Sequence, residues 1–248
     1  MSRRSLRAAP LSAVVGDALA PNVLDNPVYA SLTGPHRHFA HQLGRCARYP
    51  TAVSAFAGFA SLPTADDWAD MAEIAGPATV LILTGVFADP PQGWEVVERI
   101  PGVQLVDDGV AAAPDDETIR LGPADVPEML ALVADTRPGP FFPRTVELGT
   151  YLGVRRGGRL VAMAGERLHP PGLTEISAVC TAAEFRGQGL STRLVHAVAH
   201  QIRARGETPF LHAAVSNATA IRLYRALGFR LARTPGFLAV QTPGRPTD

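Results

Sequence analysis

The sequence predicts a mixed α/β fold in two units, and three observations indicate it. Short apolar runs bounded by turn residues alternate with stretches in which apolar residues recur at helical spacing. Two of those helical stretches end at a glycine, the residue that most often follows a helix. A small, acidic, proline-containing segment from Val110 to Asp116 divides the 248-residue chain near its middle and is the best candidate linker.

The first half predicts a leader followed by an α/β unit that spans residues 21–116. Residues 1–20 contain several arginines but no uninterrupted apolar core, so we expect a flexible leader rather than a targeting signal. Trp68 to Ile74 favours a short helix, and Ala78 to Leu83 favours a buried strand. Gly93 to Val106 predicts a further strand-containing segment.

The second half, residues 117–248, predicts strands and helices in alternation, with no internal repeat. The expected elements are a strand at Thr118–Leu121, a helix at Asp125–Ala134, strands at Thr150–Val154 and Arg159–Ala164 joined by a glycine hairpin, a strand at Leu173–Thr181, a helix at Leu190–Arg205, a strand at Pro209–Val215, a helix at Ala218–Leu227 and one or two strands from Phe229 onward.

Bulk composition narrows the function classes. Apolar residues make up 46% of the chain and charged residues 19%, which is typical of a globular protein. The formal net charge is zero, which gives no reason to expect a nucleic-acid or membrane partner. Lysine is absent, which excludes a lysine nucleophile, a Schiff base and a P-loop. Two cysteines give no disulfide framework, and no apolar run is long enough to span a membrane, so we expect a cytoplasmic protein.

The most informative segment is the turn from Phe185 to Thr192, where a strand gives way to a helix. Gly187 and Gly189 allow a sharp turn and a close approach of the backbone to a ligand. The helix that follows presents unpaired N–H groups and the positive end of its dipole, which favour a phosphate. Arg186 adds a positive charge. A purely structural turn before a capped helix is the alternative interpretation.

Two other phosphate-binding motifs do not fit this turn. A dinucleotide-binding turn has a third glycine and an acidic residue about 20 positions further on, after a strand. A P-loop requires Gly-Lys-Ser/Thr, and the chain contains no lysine.

A second pattern lies about thirty residues downstream, at Asn217 to Phe229. Asn217 is positioned to cap a helix, and Tyr224 falls on the same helical face two turns later. The Arg-x-x-Gly-x-Ser turn at Arg186–Ser191 and the Asn-x-x-Ala-x-x-Leu-Tyr-x-x-x-Gly-Phe pattern together resemble the GNAT superfamily of acetyl-coenzyme A-dependent acyltransferases. The resemblance covers about residues 117–240. It is greatest for the glycine N-acyltransferase-like branch, in which a degenerate partner domain precedes the catalytic one.

The resemblance implies a fold, a co-substrate and a set of site residues. The fold is a mixed, mostly antiparallel central sheet flanked by helices, with an N-terminal α/β domain that would be a degenerate GNAT-like unit. Acetyl-coenzyme A would be the co-substrate, without a metal. The residues that would bind it are Val179, Thr181, Arg186, Gly187, Gln188, Gly189, Leu190, Ser191, Thr192 and Asn217. Tyr224 would lie near the sulfur as general acid. Ser191 departs from the Gly or Ala usual in the family, but Ser is small and keeps its backbone N–H.

The predicted strand at Leu173–Thr181 contains a candidate base, Glu175. Strand alternation would place Ile176, Ala178 and Cys180 against the helix and leave Glu175 facing the acceptor. Glu175 could then deprotonate the acceptor amine directly or through water, or it could simply occupy a solvated strand end. By the same alternation, we expect Cys180 to be a small buried hydrophobic residue rather than a nucleophile.

Two further motifs favour structural roles. His36, His38 and His41 have no carboxylate or cysteine at a suitable spacing, so we expect a loop role rather than a metal site. Phe141 and Phe142 could form an acceptor wall, but ordinary core packing is the interpretation we favour.

The sequence therefore predicts an N-acetyltransferase that moves an acetyl group from acetyl-coenzyme A to a primary amine of a small molecule or peptide by direct attack. Two alternatives remain open, a non-catalytic acyl-coenzyme A sensor and a scaffold whose glycine turn is only structural. The pattern does not determine the acceptor or the oligomeric state, a homodimer included.

Overall fold

The computed structural model describes residues 23–85 and 89–244, so the predicted leader at residues 1–20 lies outside the described residues. The helices are α1 (Pro27–Thr33), α2 (Ala65–Ala75), α3 (Val126–Thr136), α4 (Leu190–Ala204) and α5 (Ala218–Ala226). The strands are β1 (His41–Leu43), β2 (Cys46–Arg48), β3 (Phe56–Phe59), β4 (Val80–Thr84), β5 (Glu95–Asp107), β6 (Ile119–Leu121), β7 (Tyr151–Arg156), β8 (Arg159–Glu166), β9 (Leu173–Thr181), β10 (Thr208–Ala214), β11 (Phe229–Arg233) and β12 (Gly236–Gln241). Within the described ranges, no helix is both long and apolar enough to cross a membrane.

The predicted elements are confirmed, most of them to within two residues at each end. The prediction did not resolve α1 or the short strands β1 to β3, each of seven residues or fewer. A helix or strand of that length contains too few residues to establish a period. The start of α1 is stabilised locally, because the Asn26 side chain accepts a hydrogen bond from the Tyr29 N–H and Pro27 is the first helical residue.

The strands form one mixed sheet in the order β1-β2-β3-β4-β12-β5-β10-β9-β8-β7-β6, with β11 paired to β5 beside β12. Every described pair is antiparallel except β3–β4 and β9–β10. This architecture confirms the predicted mixed, mostly antiparallel sheet flanked by helices.

Strands cross between the two halves of the chain. The 13-residue strand β5 comes from the first half, yet residues 102–106 pair with β10 of the second half. In return, β12 lies between β4 and β5. This exchange was not predicted from the sequence, because no local sequence pattern shows whether a strand pairs with its neighbours in the chain or with a distant strand. The division into units at 21–116 and 117–248 stays a prediction.

The predicted linker at Val110–Asp116 has no regular secondary structure, but it is tied to the second half. Val110 is buried, and the Arg193 guanidinium on α4 hydrogen-bonds both carboxylate oxygens of Asp115, with an Nη2–Oδ1 distance of 2.7 Å. These contacts lower the pKa of Asp115. The segment is therefore held against the first turn of α4.

Two helices cover opposite faces of the sheet in the second half. Leu152 and Ala162 point to the face that packs under α4, whereas Tyr151 and Met163 point to the face under α3. This alternation follows from the two-residue period of a strand. It leaves the central strand β9 buried between two helices.

Strand β9 contains a bulge that changes its alternation. Gly165 on β8 pairs with Ser177 but Met163 pairs with Cys180, so β9 has one extra residue between them, and Ala178 has a φ of +53°. The prediction that Ile176, Ala178 and Cys180 share one face is therefore wrong. Ile176 packs under α4, whereas Cys180 packs under α3.

Strands β9 and β10 pair only at their beginnings. Their parallel register runs from Leu173 opposite Thr208 to Glu175 opposite Phe210, and no described pair follows. Beyond Glu175 the strands diverge, which leaves an opening in the middle of the sheet. Both cavities described below lie at this opening.

Candidate active site

The first cavity, about 420 Å³, lies between the end of β9, the start of α4 and one face of α5. Val179 and Thr181 line it from β9, and Asn217 and Tyr224 line it from α5. The edge of β9 that faces β10 has no described strand partner here. Backbone groups on such an edge can hydrogen-bond an extended ligand as another strand would.

The glycine turn presents free backbone donors to this cavity. Gly187 and Gly189 have φ values of +77° and +74°, and a Cβ added at either would meet no atom within 4 Å. Glycine is thus required for its left-handed conformation rather than for space. Gly189 begins α4 without a side-chain cap, whereas Thr64 caps α2 and Asn217 caps α5. The first N–H groups of α4 are therefore available to an anion.

Two side-chain contacts shape the rim of this turn. The Arg186 Nε donates a hydrogen bond to the Thr181 carbonyl at 3.3 Å, which leaves the other guanidinium nitrogens free. The hydroxyls of Thr181 and Ser191 lie 3.0 Å apart and join the end of β9 to the start of α4. A guanidinium with free N–H groups beside an uncapped helix N-terminus is a good phosphate site.

Asn217 and Tyr224 are placed by α5. The Asn217 Oδ1 accepts a hydrogen bond from the Ala220 N–H at 3.1 Å, so the side chain caps the helix while it lines the cavity. Tyr224 is 8% exposed, and burial raises the pKa of its hydroxyl to about 12. The hydroxyl therefore stays protonated near neutral pH and can act as a hydrogen-bond donor.

The structure brings together nearly all of the residues predicted to bind the coenzyme. The exception is Gln188, which is exposed and does not line the cavity. The prediction missed Arg137, which follows α3 with a φ of +50° and lines this cavity. The sequence offered a signal only for the end of α3, since a residue that precedes a proline avoids the right-handed helical conformation and Arg137 precedes Pro138.

A second cavity, about 430 Å³, adjoins the first and is also lined by Tyr224. Arg137, Pro138, Val179, Asn217, Ala220 and Tyr224 line both cavities, so the two meet there. Ser177 and Ser216 add hydroxyls to the second cavity. Its far wall comes from the first half of the chain and from β12, through Phe56, Ile82, Ile100 and Phe237.

Glu175 lies fully buried beneath this second cavity, so its predicted alternative of a solvated strand end is wrong. The Arg167 Nε and Nη2 lie 2.8 and 2.5 Å from its two carboxylate oxygens. The His212 Nδ1 lies 2.7 Å from the same carboxylate. Burial alone would raise the pKa of Glu175, but the charge and hydrogen bonds of Arg167 and the contact with His212 lower it to about 2.

Hydrogen bonding defines the tautomer of His212. The Gln104 Nε2 lies 3.1 Å from the Leu24 carbonyl, to which it must donate, and 3.0 Å from the His212 Nε2. The Nε2 of His212 therefore accepts, and its proton resides on Nδ1, which donates to Glu175. Both nitrogens of His212 and both oxygens of Glu175 are thus engaged in holding the cavity floor.

The three histidines singled out in the sequence do not form a metal site. His36 is buried, lies 2.8 Å from the Tyr49 hydroxyl and has a pKa lowered to about 3 by burial and by His169, whereas His38 and His41 are exposed. Among the described residues, no group of three or more His, Cys, Asp or Glu could hold a metal ion.

Cys180 and Phe141 both pack in the cluster beneath α3. Burial raises the pKa of the Cys180 thiol to about 11, which disfavours the nucleophilic thiolate. Phe141 packs edge-on against Tyr151 with ring centroids 5.6 Å apart. Its role is core packing, as the sequence favoured.

Comparison with known proteins shows the family. A model of the FR47-like protein family matches residues 151–238, which include β7 to β11 and most of the donor-side residues. No curated protein matches the chain. A GNAT-family acetyltransferase structure from Novosphingobium aromaticivorans is 40% identical over 91% of this chain and 100% of its own, with a TM-score of 0.82.

A more distant structure shows the same fold. A GCN5-related N-acetyltransferase from Kribbella flavida is 19% identical and covers 91% of this chain and 97% of its own, with a TM-score of 0.58. The likeness therefore extends through both halves of the chain rather than ending at the segment that the family model matches. From the 40% identity to the Novosphingobium protein, we conclude that the chain belongs to the GNAT family of acetyltransferases.

Proposed function

We propose that this protein transfers an acetyl group from acetyl-coenzyme A to a primary amine by direct attack. The observation that supports this most strongly is the meeting of two cavities at Tyr224. One cavity ends at an uncapped helix N-terminus suited to phosphates, and the other combines an apolar wall with basic and hydroxyl side chains. Two substrates that each occupy one cavity would place their reacting atoms at the junction.

The donor would lie in the first cavity. The N–H groups from Gln188 to Thr192 and the Arg186 guanidinium would hold the pyrophosphate, and the free edge of β9 at Val179 and Thr181 would bind the pantetheine arm. Asn217 would contact the coenzyme through its amide N–H groups, since its oxygen already caps α5. The residues present fit a coenzyme because backbone donors, positive charge and an unpaired strand edge lie around one cavity.

The acceptor nitrogen would attack the thioester carbonyl carbon, forming the C–N bond as the C–S bond breaks. The Tyr224 hydroxyl would donate its hydrogen to the developing thiolate as the acid. Its pKa of about 12 lies above that of a thiol, so the donation is a hydrogen bond to the leaving sulfur rather than a lasting proton transfer. The proton lost by the amine would complete the free thiol.

The base role predicted for Glu175 stays a prediction, and the geometry favours positioning instead. Both of its oxygens are engaged by Arg167 and His212, and its pKa is about 2. A carboxylate of such low basicity accepts a proton poorly near neutral pH. We propose that Glu175 orients the floor of the acceptor cavity, and that the amine enters neutral or loses its proton to water.

We also propose that the protein belongs to the glycine N-acyltransferase-like branch of the family. The resemblance to the glycine N-acyltransferase-like branch rests on the Asn217–Phe229 and Arg186–Ser191 patterns. The view of residues 21–116 as a degenerate GNAT-like unit rests on the same resemblance. The exchange of β5 and β12 is compatible with two related units that share one sheet.

Two measurements on the full chain test the proposed function. Calorimetry should show saturable binding of acetyl-coenzyme A, and a thiol-detecting assay should show coenzyme release that depends on an added amine. Binding without amine-dependent release across a broad amine panel would support the acyl-coenzyme A sensor instead. No binding at all would leave the glycine turn a purely structural feature and would overturn the proposal.

A further inference from the structure

The acceptor cavity has a charge pattern that restricts what it can bind. Arg137 and Arg167 both line it, together with His212, and no carboxylate is among the lining residues that the structure describes. The nearest acid, Glu175, lies beneath the floor with both oxygens occupied. A ligand in this cavity therefore meets basic side chains directly and, among the described residues, no acidic side chain directly.

The two arginines are not equivalent. Arg167 is neutralised by its bidentate contact with Glu175, and its Cζ lies 4.8 Å from the centre of the Phe56 ring. Arg137 is exposed, and its guanidinium has neither a hydrogen bond nor an ion pair with any described residue. Arg137 is thus the uncompensated charge of the site, and it lies where the two cavities meet.

The wall of the cavity formed by the first half of the chain and β12 is mostly apolar. Phe56 and Phe237 lie with their rings 6.4 Å apart, and the Phe237 ring lies edge-on to His212 at 5.4 Å. Ile82 and Ile100 complete the wall and are only half-buried, so they retain surface for a ligand to cover. Burial of apolar ligand surface against such a wall is favourable.

We propose, resting on the acetyltransferase function above, that the acceptor is an apolar α-amino acid. Its carboxylate pairs with Arg137 at the junction, and its side chain packs against Phe56, Ile82, Ile100 and Phe237. An α-amino acid has its amine and its carboxylate on one carbon. A carboxylate held at the junction therefore places the amine beside Tyr224, at the end of the donor cavity. A polyamine or aminoglycoside is disfavoured, since its further ammonium groups would face the uncompensated charge of Arg137 and would find no carboxylate among the described lining residues.

Matched substrates test the carboxylate directly. L-Phenylalanine and L-leucine are each compared with their amides, which differ only in lacking the charged carboxylate, and with spermidine. The amide's amine is the more readily deprotonated, so intrinsic reactivity favours the amide. We expect kcat/KM for the free amino acids to exceed that for the amides by about 10- to 100-fold, the usual range for a charge-assisted hydrogen bond.

Arg137→Gln should abolish that discrimination by raising the amino-acid KM, while the Kd for acetyl-coenzyme A stays within about twofold. Arg120→Gln is the matched control, because Arg120 is an exposed arginine on β6 that lines neither cavity and has no described partner. Equal or better use of the amides or of spermidine would overturn the proposal while leaving the acetyltransferase function intact. An equal loss of acetyl-coenzyme A affinity in Arg137→Gln would assign Arg137 to the donor instead.

A binding measurement covers the case in which no tested amine is acetylated. The N-acetylated amino acids and their amides are titrated into protein saturated with coenzyme A. Preferential binding of the N-acetyl amino acids supports the proposal, and an absence of binding overturns it. Failure to bind acetyl-coenzyme A in the preceding calorimetry would identify the separate failure of the proposed function.

Discussion

The donor and acceptor cavities are built in different ways. The donor cavity is formed largely by one continuous stretch, Val179 to Thr192, and its binding groups are mostly backbone atoms held by two glycines and a helix start. The acceptor cavity gathers side chains from residue 56 to residue 237 and depends on a buried charged network. Changes on the donor side should therefore act locally, whereas changes beneath the acceptor cavity should act on the fold as well.

The largest expected effect is on stability. Glu175→Gln removes a buried charge and leaves Arg167 uncompensated at 12% side-chain exposure, which should lower the free energy of unfolding by about 3–5 kcal/mol. Denaturant titration measures it. Glu147→Gln is the matched control, because Glu147 makes a bidentate pair with Arg144 at the surface and should change stability by at most about 1 kcal/mol.

The pH dependence of unfolding gives an independent check on the same residue. The pKa of Glu175 is lowered on folding from 4.5 to about 2, so its contribution to stability is present above about pH 4.5 and is lost as the pH falls toward 2. The difference in stability between wild type and Glu175→Gln should shrink over that interval. A difference that stays constant between those pH values would contradict the ion-pair account.

The donor cavity could be predicted from the sequence, whereas the acceptor cavity could not, because the two differ in how far apart their residues lie along the chain. The glycine turn, the helix at Leu190 and the pattern at Asn217 are each a single short continuous segment, so spacing and residue type were sufficient to predict them. Phe56, Ile100 and Phe237 come together because β12 pairs with β5. No local sequence pattern predicts that pairing. The bulge at Ala178 was equally hidden, since alanine gives no signal for a positive φ.

Tyr224→Phe tests the junction itself. The variant loses a hydrogen bond to the leaving sulfur, so kcat should fall by about 10- to 100-fold with little change in acetyl-coenzyme A affinity. Tyr29→Phe is the control, because Tyr29 lines neither cavity. Because the pKa of Tyr224 is about 12, ionisation of its hydroxyl should not lower kcat below about pH 10. Unchanged turnover would remove Tyr224 from the mechanism.

A smaller and purely donor-side effect is expected for Gly189→Ala. An added Cβ at a φ of +74° costs about 1–2 kcal/mol, and relaxation of the turn should redirect the N–H groups and weaken acetyl-coenzyme A binding by about tenfold. Gly158→Ala is a close control, because Gly158 has a φ of +83° and equally open surroundings in the β7–β8 hairpin. Both variants should lose similar stability, and calorimetry should show lost affinity in Gly189→Ala alone.

The smallest effect is expected at the apolar wall. Ile100→Ala removes part of a half-buried side chain that lines the acceptor cavity, and about 1 kcal/mol of lost ligand burial corresponds to about a fivefold higher acceptor KM. Steady-state kinetics should show an unchanged KM for acetyl-coenzyme A. The control Ile119→Ala alters an exposed isoleucine on β6 and should leave both KM values unchanged. If Ile100→Ala raised both KM values equally, the two cavities would not be independent. An effect confined to the acceptor would show that the first half of the chain helps to determine which amine is used.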